Sequence, residues 1–78
     1  MKYIVFNETE VFLFPSPWDH DLVKQMVQSQ RPGLVPTSAG FVNTDEVGEV
    51  FCHRYSHSLN LKPHPGDQSL ISRHLERQ

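Results

Sequence analysis

The sequence of 78 residues contains one cysteine, few glycines and no long apolar run. A single cysteine, Cys52, cannot form an internal disulfide, whereas small secreted domains usually carry several. No apolar run approaches the roughly 20 residues that are needed to cross a bilayer. The opening MKYIVFNETE lacks the sustained apolar segment of a signal peptide. We therefore expect an intracellular, cytoplasmic protein that does not bind membranes.

Several motifs of catalytic and binding proteins are also missing. The four glycines are scattered, so no glycine-rich phosphate loop is present. No G-x-S-x-G surrounds Ser56 or Ser58, and neither C-x-x-C nor H-E-x-x-H occurs. The net charge of −2 argues against a general nucleic-acid binder. Nucleic-acid binding stays open as an alternative because basic residues gather near the end of the chain, at Arg54, Lys62, Arg73 and Arg77.

Short β-favouring runs predict four strands in one domain, residues 1–78. KYIVF (2–6) and VFLF (11–14) flank the polar NETE and predict a β-hairpin. Both runs are apolar on both faces, so we expect cover on both sides, with a second copy of the protein as one possible cover. LVPTSAGFVNT (34–44) predicts a third strand, and VFCHRYSHSLNL (50–61) predicts a fourth.

Two helices complete the expected fold. Ser16 as N-cap, Pro17 at the first helical position and Asp19 three residues after the cap predict a helix start. Its apolar stripe is predicted to comprise Leu22, Val23, Met26 and Val27. A second helix over about 66 to 76 has the stripe Leu70, Ile71, His74 and Leu75. The expected fold is a small two-layer α+β domain, order ββαββα, with an antiparallel or mixed sheet.

The stretch 50–61 holds the densest chemistry of the chain. As a strand it would present small side chains, such as Val50 and Cys52, on one face. The opposite face would carry aromatic and histidine side chains: Phe51, His53, Tyr55 and His57. An outward face of this kind is unusual for a monomer, since aromatic residues are enriched at interfaces. We therefore predict that these four residues form a contact surface.

A metal or catalytic role for the same stretch is the competing hypothesis. On a strand, His53 and His57 lie about 13 Å apart, which is too far to share one metal ion. Cys52 would need a nearby base to act as a nucleophile; histidines are available, but sequence alone does not place one beside it in space. We therefore expect no cofactor and no metal. A metal-dependent enzyme that uses His53, His57, His64 and Cys52 remains the alternative.

Several short motifs resemble a group of uncharacterised proteins encoded by bacteriophages and prophages. They are MKYI (1–4), FP (14–15), SAGFV (38–42), GEVFC (48–52) and SHSLNLK (56–62), followed by Pro65 and Asp67. The resemblance implies a genomic setting and no chemistry. Together with the missing catalytic motifs, it leads us to expect a non-catalytic protein-binding module, homodimeric, whose further partner would be a bacterial host protein such as a host factor or a defence protein.

Overall fold

The computed structural model describes residues 1–77 and shows a four-stranded sheet with two helices. The elements are β1 (Lys2–Phe6), β2 (Glu10–Phe14), α1 (His20–Gln30), β3 (Pro36–Thr44), β4 (Val50–His53) and α2 (Asp67–Glu76). The strands are arranged in the order β2-β1-β3-β4, and all neighbours are antiparallel. The predicted α+β class and the order ββαββα are confirmed.

The two helices lie on opposite faces of the sheet. Ile4 and Phe6 of β1 belong to one core cluster with Val23 of α1. Tyr3, which points to the other face, belongs to a second cluster with Ile71 of α2. The molecule therefore has three layers where the sequence predicted two, because a strand that is apolar on both faces needs cover on both. One chain supplies both covers of β1.

The predicted hairpin is confirmed, and its two strands differ in burial. All of the apolar side chains of the central strand β1 are buried, whereas most of β2, at the edge of the sheet, is only half-buried. Asn7 and Glu8 form the connecting turn with φ of 49° and 66°, a left-handed conformation that suits tight hairpin turns. The Asn7 side chain donates to the Gly33 carbonyl at 3.2 Å and accepts from the Val35 N–H at 2.9 Å. The turn is thereby fastened to the chain that leads into β3.

Helix α1 begins later than the sequence predicted. Residues 16–18 lie in a turn closed by the Trp18 N–H and the Pro15 carbonyl, so Ser16 does not cap the helix. Asp19 occupies the N-cap position, but its carboxylate accepts from the Ser58 hydroxyl at 3.0 Å and caps no backbone group. The predicted stripe is also split, since Val23 is buried while Leu22 and Met26 are about half exposed.

The fourth strand is shorter than predicted. It ends at His53 because Arg54 has a φ of 61°, and a left-handed residue turns the chain out of the ladder. Residues 57–60 then form a turn that is closed by an isolated bridge between Ser56 and Leu61. Leu61 packs against the core cluster on the α1 face. The segment after β4 thus fills space beside α1 before the chain reaches α2.

Helix α2 agrees with the prediction to within one residue at its start. Ile71 is completely buried and Leu70 is partly buried against the sheet, while Leu75 remains 37% exposed at the end of the stripe. Within residues 1–77 neither helix has the length and apolar character of a membrane span.

Candidate functional site

The four residues predicted to form a contact surface do not share one strand face. Phe51 and His53 lie on β4 and point to the α1 face of the sheet, where they pair with Asn43 and Phe41 of β3. Tyr55 and His57 lie beyond the end of the strand, with their rings 5.0 Å apart in an edge-to-face contact. The prediction that the four residues share one strand face is therefore wrong, although Phe51 and Tyr55 are both exposed. A contact role for the four residues stays a prediction.

A row of rings crosses the α1 face from β2 to β4. The centroids of Phe14 and His20 are 5.4 Å apart, those of His20 and Phe41 are 5.9 Å apart, and those of Phe41 and His53 are 6.1 Å apart. The Arg54 guanidinium lies 5.3 Å from the centre of the Phe41 ring. These contacts are packing interactions of the kind that stabilises aromatic clusters. His53 is thus engaged with Phe41 and leaves only part of its ring accessible.

His20 has a structural role that sequence reasoning missed. It is only 3% exposed, and its Nε2 donates to the Gly40 carbonyl at 2.9 Å. Burial lowers the pKa of the imidazole because the charged form loses its hydration, and the hydrogen bond to Gly40 opposes this shift. His20 follows Asp19 at the start of α1, a place where polar residues are ordinary, so the sequence carried no signal of its burial.

A buried polar network joins β1, β3 and α2 on the other face. The Asp67 carboxylate accepts from the Tyr3 hydroxyl at 2.6 Å, the Ser38 hydroxyl at 2.9 Å and the His64 N–H at 2.9 Å. Tyr3, Ser38 and Asp67 are each at most 2% exposed. Burial raises the pKa of Tyr3 far above its usual range, and the bond to Asp67 adds to the effect. The network has no access for a substrate, and its role is structural.

The residues that the enzyme hypothesis requires are not assembled. Burial raises the pKa of the Cys52 thiol, which is the opposite of what activates a cysteine nucleophile. Ser56 is buried, and neither its hydroxyl nor His53 Nε2 has a hydrogen-bond partner among residues 1–77. In that same part of the chain, no three His, Cys, Asp or Glu side chains are grouped so that they could hold a metal ion.

The two edges of the sheet differ in how they are protected. At the β4 edge, the N–H of Cys52 donates to the side-chain oxygen of Gln68 on α2 at 3.1 Å. At the β2 edge, the strand carries one charged residue, Glu10, and neither proline nor lysine, which are common protecting residues of edge strands. Its pairing with β1 runs without a register shift. The β2 edge therefore lacks the usual obstacles to pairing with a further strand.

The backbone groups on the open side of β2 can be assigned from the ladder. The Val42 N–H donates to the Met1 carbonyl at 2.9 Å, which places the odd-numbered residues of β1 in the hydrogen bonds to β3. The even-numbered ones then bond to β2, where Ile4 pairs with Phe12. Val11 and Leu13 consequently point their N–H and C=O groups away from the sheet. No hydrogen bond covers these groups within the described residues.

An apolar groove flanks this edge on the α1 face, and a second one reaches it on the α2 face at Leu13, whereas Arg73, His74 and Arg77 line the α2 face beside Val11. The groove on the α1 side, here the α1-side groove, is lined mainly by apolar groups, including Phe12, Phe14, Trp18 and Met26. The groove on the α2 side, the α2-side groove, includes Met1, Leu13, Val42 and Leu75. Trp18 and Met26 are about half exposed at 46% and 51%, and Met1 is 56% exposed. The open edge of β2 therefore has an apolar groove on its α1 face and a partly apolar, partly basic surface on its α2 face, and it is the candidate binding surface of this molecule.

Comparisons with known proteins identify no relative that would indicate what this surface binds. No protein-family model, curated protein or solved structure matches the chain.

Proposed function

We propose that this protein is a non-catalytic binding module that takes up an extended segment of a partner protein along the free edge of β2. The observation that carries the proposal is the open backbone of Val11 and Leu13 beside the apolar α1-side groove. Adding a strand to a sheet edge is a recurrent mode of peptide recognition, in which backbone hydrogen bonds give affinity.

The grooves define the sequence character of the bound segment. Successive side chains of an added strand point alternately to the two faces of the sheet. On the α1 face they would enter the α1-side groove beside Trp18 and Met26, and on the α2 face they would lie beside Leu70 and Arg73 near Val11 and reach the α2-side groove near Leu13. The α1-side groove is mainly apolar, so the side chains that the partner segment points to that face would be apolar, while those on the α2 face would meet a mixed surface that includes Arg73 and Arg77.

The partner class follows from the resemblance in the sequence. If the chain belongs with the phage and prophage proteins that it resembles, it works in the cytoplasm of a bacterial host. The partner is then a host protein, such as a host factor or a component of a defence system, and binding would inhibit it.

Two variants at one position test the edge. Val11→Pro removes the outward N–H of Val11 and leaves the hydrogen bonds between β1 and β2 in place, because proline is tolerated in edge strands on the solvent side. Val11→Ala shortens the same side chain and keeps the N–H. The wild type and both variants would be immobilised and exposed to nuclease-treated bacterial lysate, with bound proteins identified by mass spectrometry.

The expected result is a stoichiometric protein partner that is retained by the wild type and Val11→Ala and lost by Val11→Pro. Circular dichroism would verify that Val11→Pro is folded. A partner retained equally by all three proteins would show that binding does not use the β2 edge, and the proposal would be wrong.

A further inference from the structure

We infer that the β2 edge is also self-complementary and is occupied by a second copy of this chain, paired antiparallel about a two-fold axis at Phe12. The inference rests on the proposed function, since it assigns an occupant to the same edge. In this pairing Phe12 of one copy lies opposite Phe12 of the other. Val11 of one copy lies opposite Leu13 of the other, and Glu10 lies opposite Phe14.

The hydrogen-bond alternation of β2 fits this register. Residues that face each other in an antiparallel pair alternate between hydrogen-bonded and non-bonded pairs. Phe12 uses its backbone groups toward Ile4 of β1, so it suits the non-bonded position on the axis. Val11 and Leu13 have their groups free and would exchange both hydrogen bonds with the second copy. If the axis passed through Val11 or Leu13 instead, fewer of the free backbone N–H and C=O groups of β2 would form hydrogen bonds.

The charges of the strand itself do not oppose such a pairing. Glu10 is the one charged residue of β2, and in this register it does not meet its own copy across the axis. Its carboxylate also lies 3.4 Å from the Arg31 guanidinium of its own chain. Like charges placed directly opposite each other destabilise strand pairs, and this register has none.

Apolar side chains would be buried at the same time. The pairing brings the two Phe12 side chains together on the α1 face, with the half-exposed Trp18 and Met26 of each copy beside them. A five-residue strand is only about 17 Å long, so the contact is smaller than the roughly 800 Å² per partner of a standard interface. We therefore expect a weak dimer, with a dissociation constant on the order of micromolar.

The opposite edge is a poorer place for a second copy. The N–H of Cys52 is already taken by Gln68, and β4 has only four residues. A continuous sheet of two copies is therefore expected to join at β2, and the β4 side with Phe51 and Tyr55 stays free.

Cross-linking on the axis tests the register. In a Cys52→Ala background, Phe12→Cys places two thiols on neighbouring strands within disulfide reach, since a non-bonded pair has Cα atoms about 4.5 Å apart. Glu10→Cys is the matched control, because its two copies would be separated by several residues along the strands. Oxidised glutathione would serve as oxidant. We expect at least roughly tenfold more cross-linked dimer for Phe12→Cys than for Glu10→Cys at equal protein concentration.

Analytical sedimentation measures the association of chains without engineered cysteines and so tests the dimer independently of the cross-linking. The wild type and Val11→Ala should show a concentration-dependent mass that rises toward that of a dimer. Val11→Pro should associate at least roughly tenfold more weakly, because the two-fold axis removes the Val11 hydrogen bond twice.

The outcomes separate the second copy from the proposed partner. A monomer at all concentrations, or a dimer that Val11→Pro leaves unchanged, would overturn the self-pairing. The proposed function would survive that result if Val11→Pro still abolished capture of a lysate protein. A dimer with the expected cross-link, and no lysate partner lost in Val11→Pro, would support the self-pairing and remove the proposed heterologous partner.

Discussion

The Tyr3 hydroxyl donates to Asp67 Oδ2 at 2.6 Å and so joins two residues that are 64 positions apart in the chain. Tyr3 lies in the middle of the sheet, and Asp67 is the first residue of α2. Because the Asp67 carboxylate is buried, each of its donors offsets part of the cost of removing the carboxylate from water. This contact fixes the position at which α2 begins against the sheet.

Replacing Tyr3 with phenylalanine should destabilise the protein markedly. Tyr3→Phe keeps the ring and removes one donor from a buried carboxylate, so we expect a loss of about 1.5–3 kcal/mol in the free energy of unfolding. Tyr55→Phe is the matched control, since Tyr55 is exposed and donates to Asn60, and its loss should stay below about 0.5 kcal/mol. Urea denaturation measures both, and equal losses would contradict the structural role of the network.

The buried His20 should make stability depend on pH. Burial lowers the pKa of His20 in the folded protein, while in the unfolded chain the pKa is about 6.5. The unfolded chain therefore binds the proton more readily, and the stability present above about pH 6.5 is lost as the pH falls below it. Lys2 nearby lowers the pKa further and Asp19 opposes it, both less than burial does. We expect the melting temperature to fall between about pH 7 and pH 5.

Substituting single histidines distinguishes the contribution of His20 to the pH dependence of stability from that of another histidine. His20→Gln keeps an N–H donor for the Gly40 carbonyl and removes the titration, so the slope of stability against pH should become smaller. His57→Gln, in the exposed turn after β4, is the matched control substitution. Thermal unfolding at several pH values gives the comparison. A wild-type slope in His20→Gln would show that other groups dominate the pH dependence.

How far the sequence predicts this fold can be seen from individual residues. The hairpin was predictable because KYIVF and the apolar run from Val11 to Phe14 flank a polar turn, and Ile71 was predictable as a buried residue because it lies in a regular helical stripe. The start of α1 at His20 and the exposure of Met26 were not predictable: residues 15–18 form a separate turn before the helix, and α1 turns only one flank toward the sheet. Periodicity identifies an apolar stripe and does not say how much of it is covered.

The candidate site was less predictable than the fold. Tyr55 and His57 looked like strand residues by composition, and only the left-handed backbone of Arg54 removes them from β4. The free edge of β2 depends on strand order, which places the second strand of the chain at the rim of the sheet. Strand order is a property of long-range packing, and no local pattern in the sequence specifies it.

Gly40 should be sensitive to the smallest side chain. A Cβ atom at this position would lie 2.8 Å from the His53 carbonyl oxygen and 2.9 Å from Pro63 Cγ, because the chain leaving β4 packs directly on it. Gly40→Ala should therefore cost roughly 1–3 kcal/mol of stability. Gly33→Ala is the control, as no atom lies within 4 Å of a Cβ there. Denaturant unfolding that gave both variants the same stability would contradict this close approach.

The Cys52 thiol should react slowly in the folded protein. Burial raises its pKa, with a smaller contribution from the negative charge of Asp67, while a hydrogen bond with Tyr3 lowers it. The thiolate is the reactive form, so at about pH 8 a raised pKa leaves less of it than in a free cysteine. A chromogenic disulfide reagent would measure the rate in the native protein and in guanidinium chloride, where the unfolded chain is the control. We expect at least a roughly tenfold slower reaction in the native state, and equal rates would show that Cys52 is an accessible thiol that could serve chemistry.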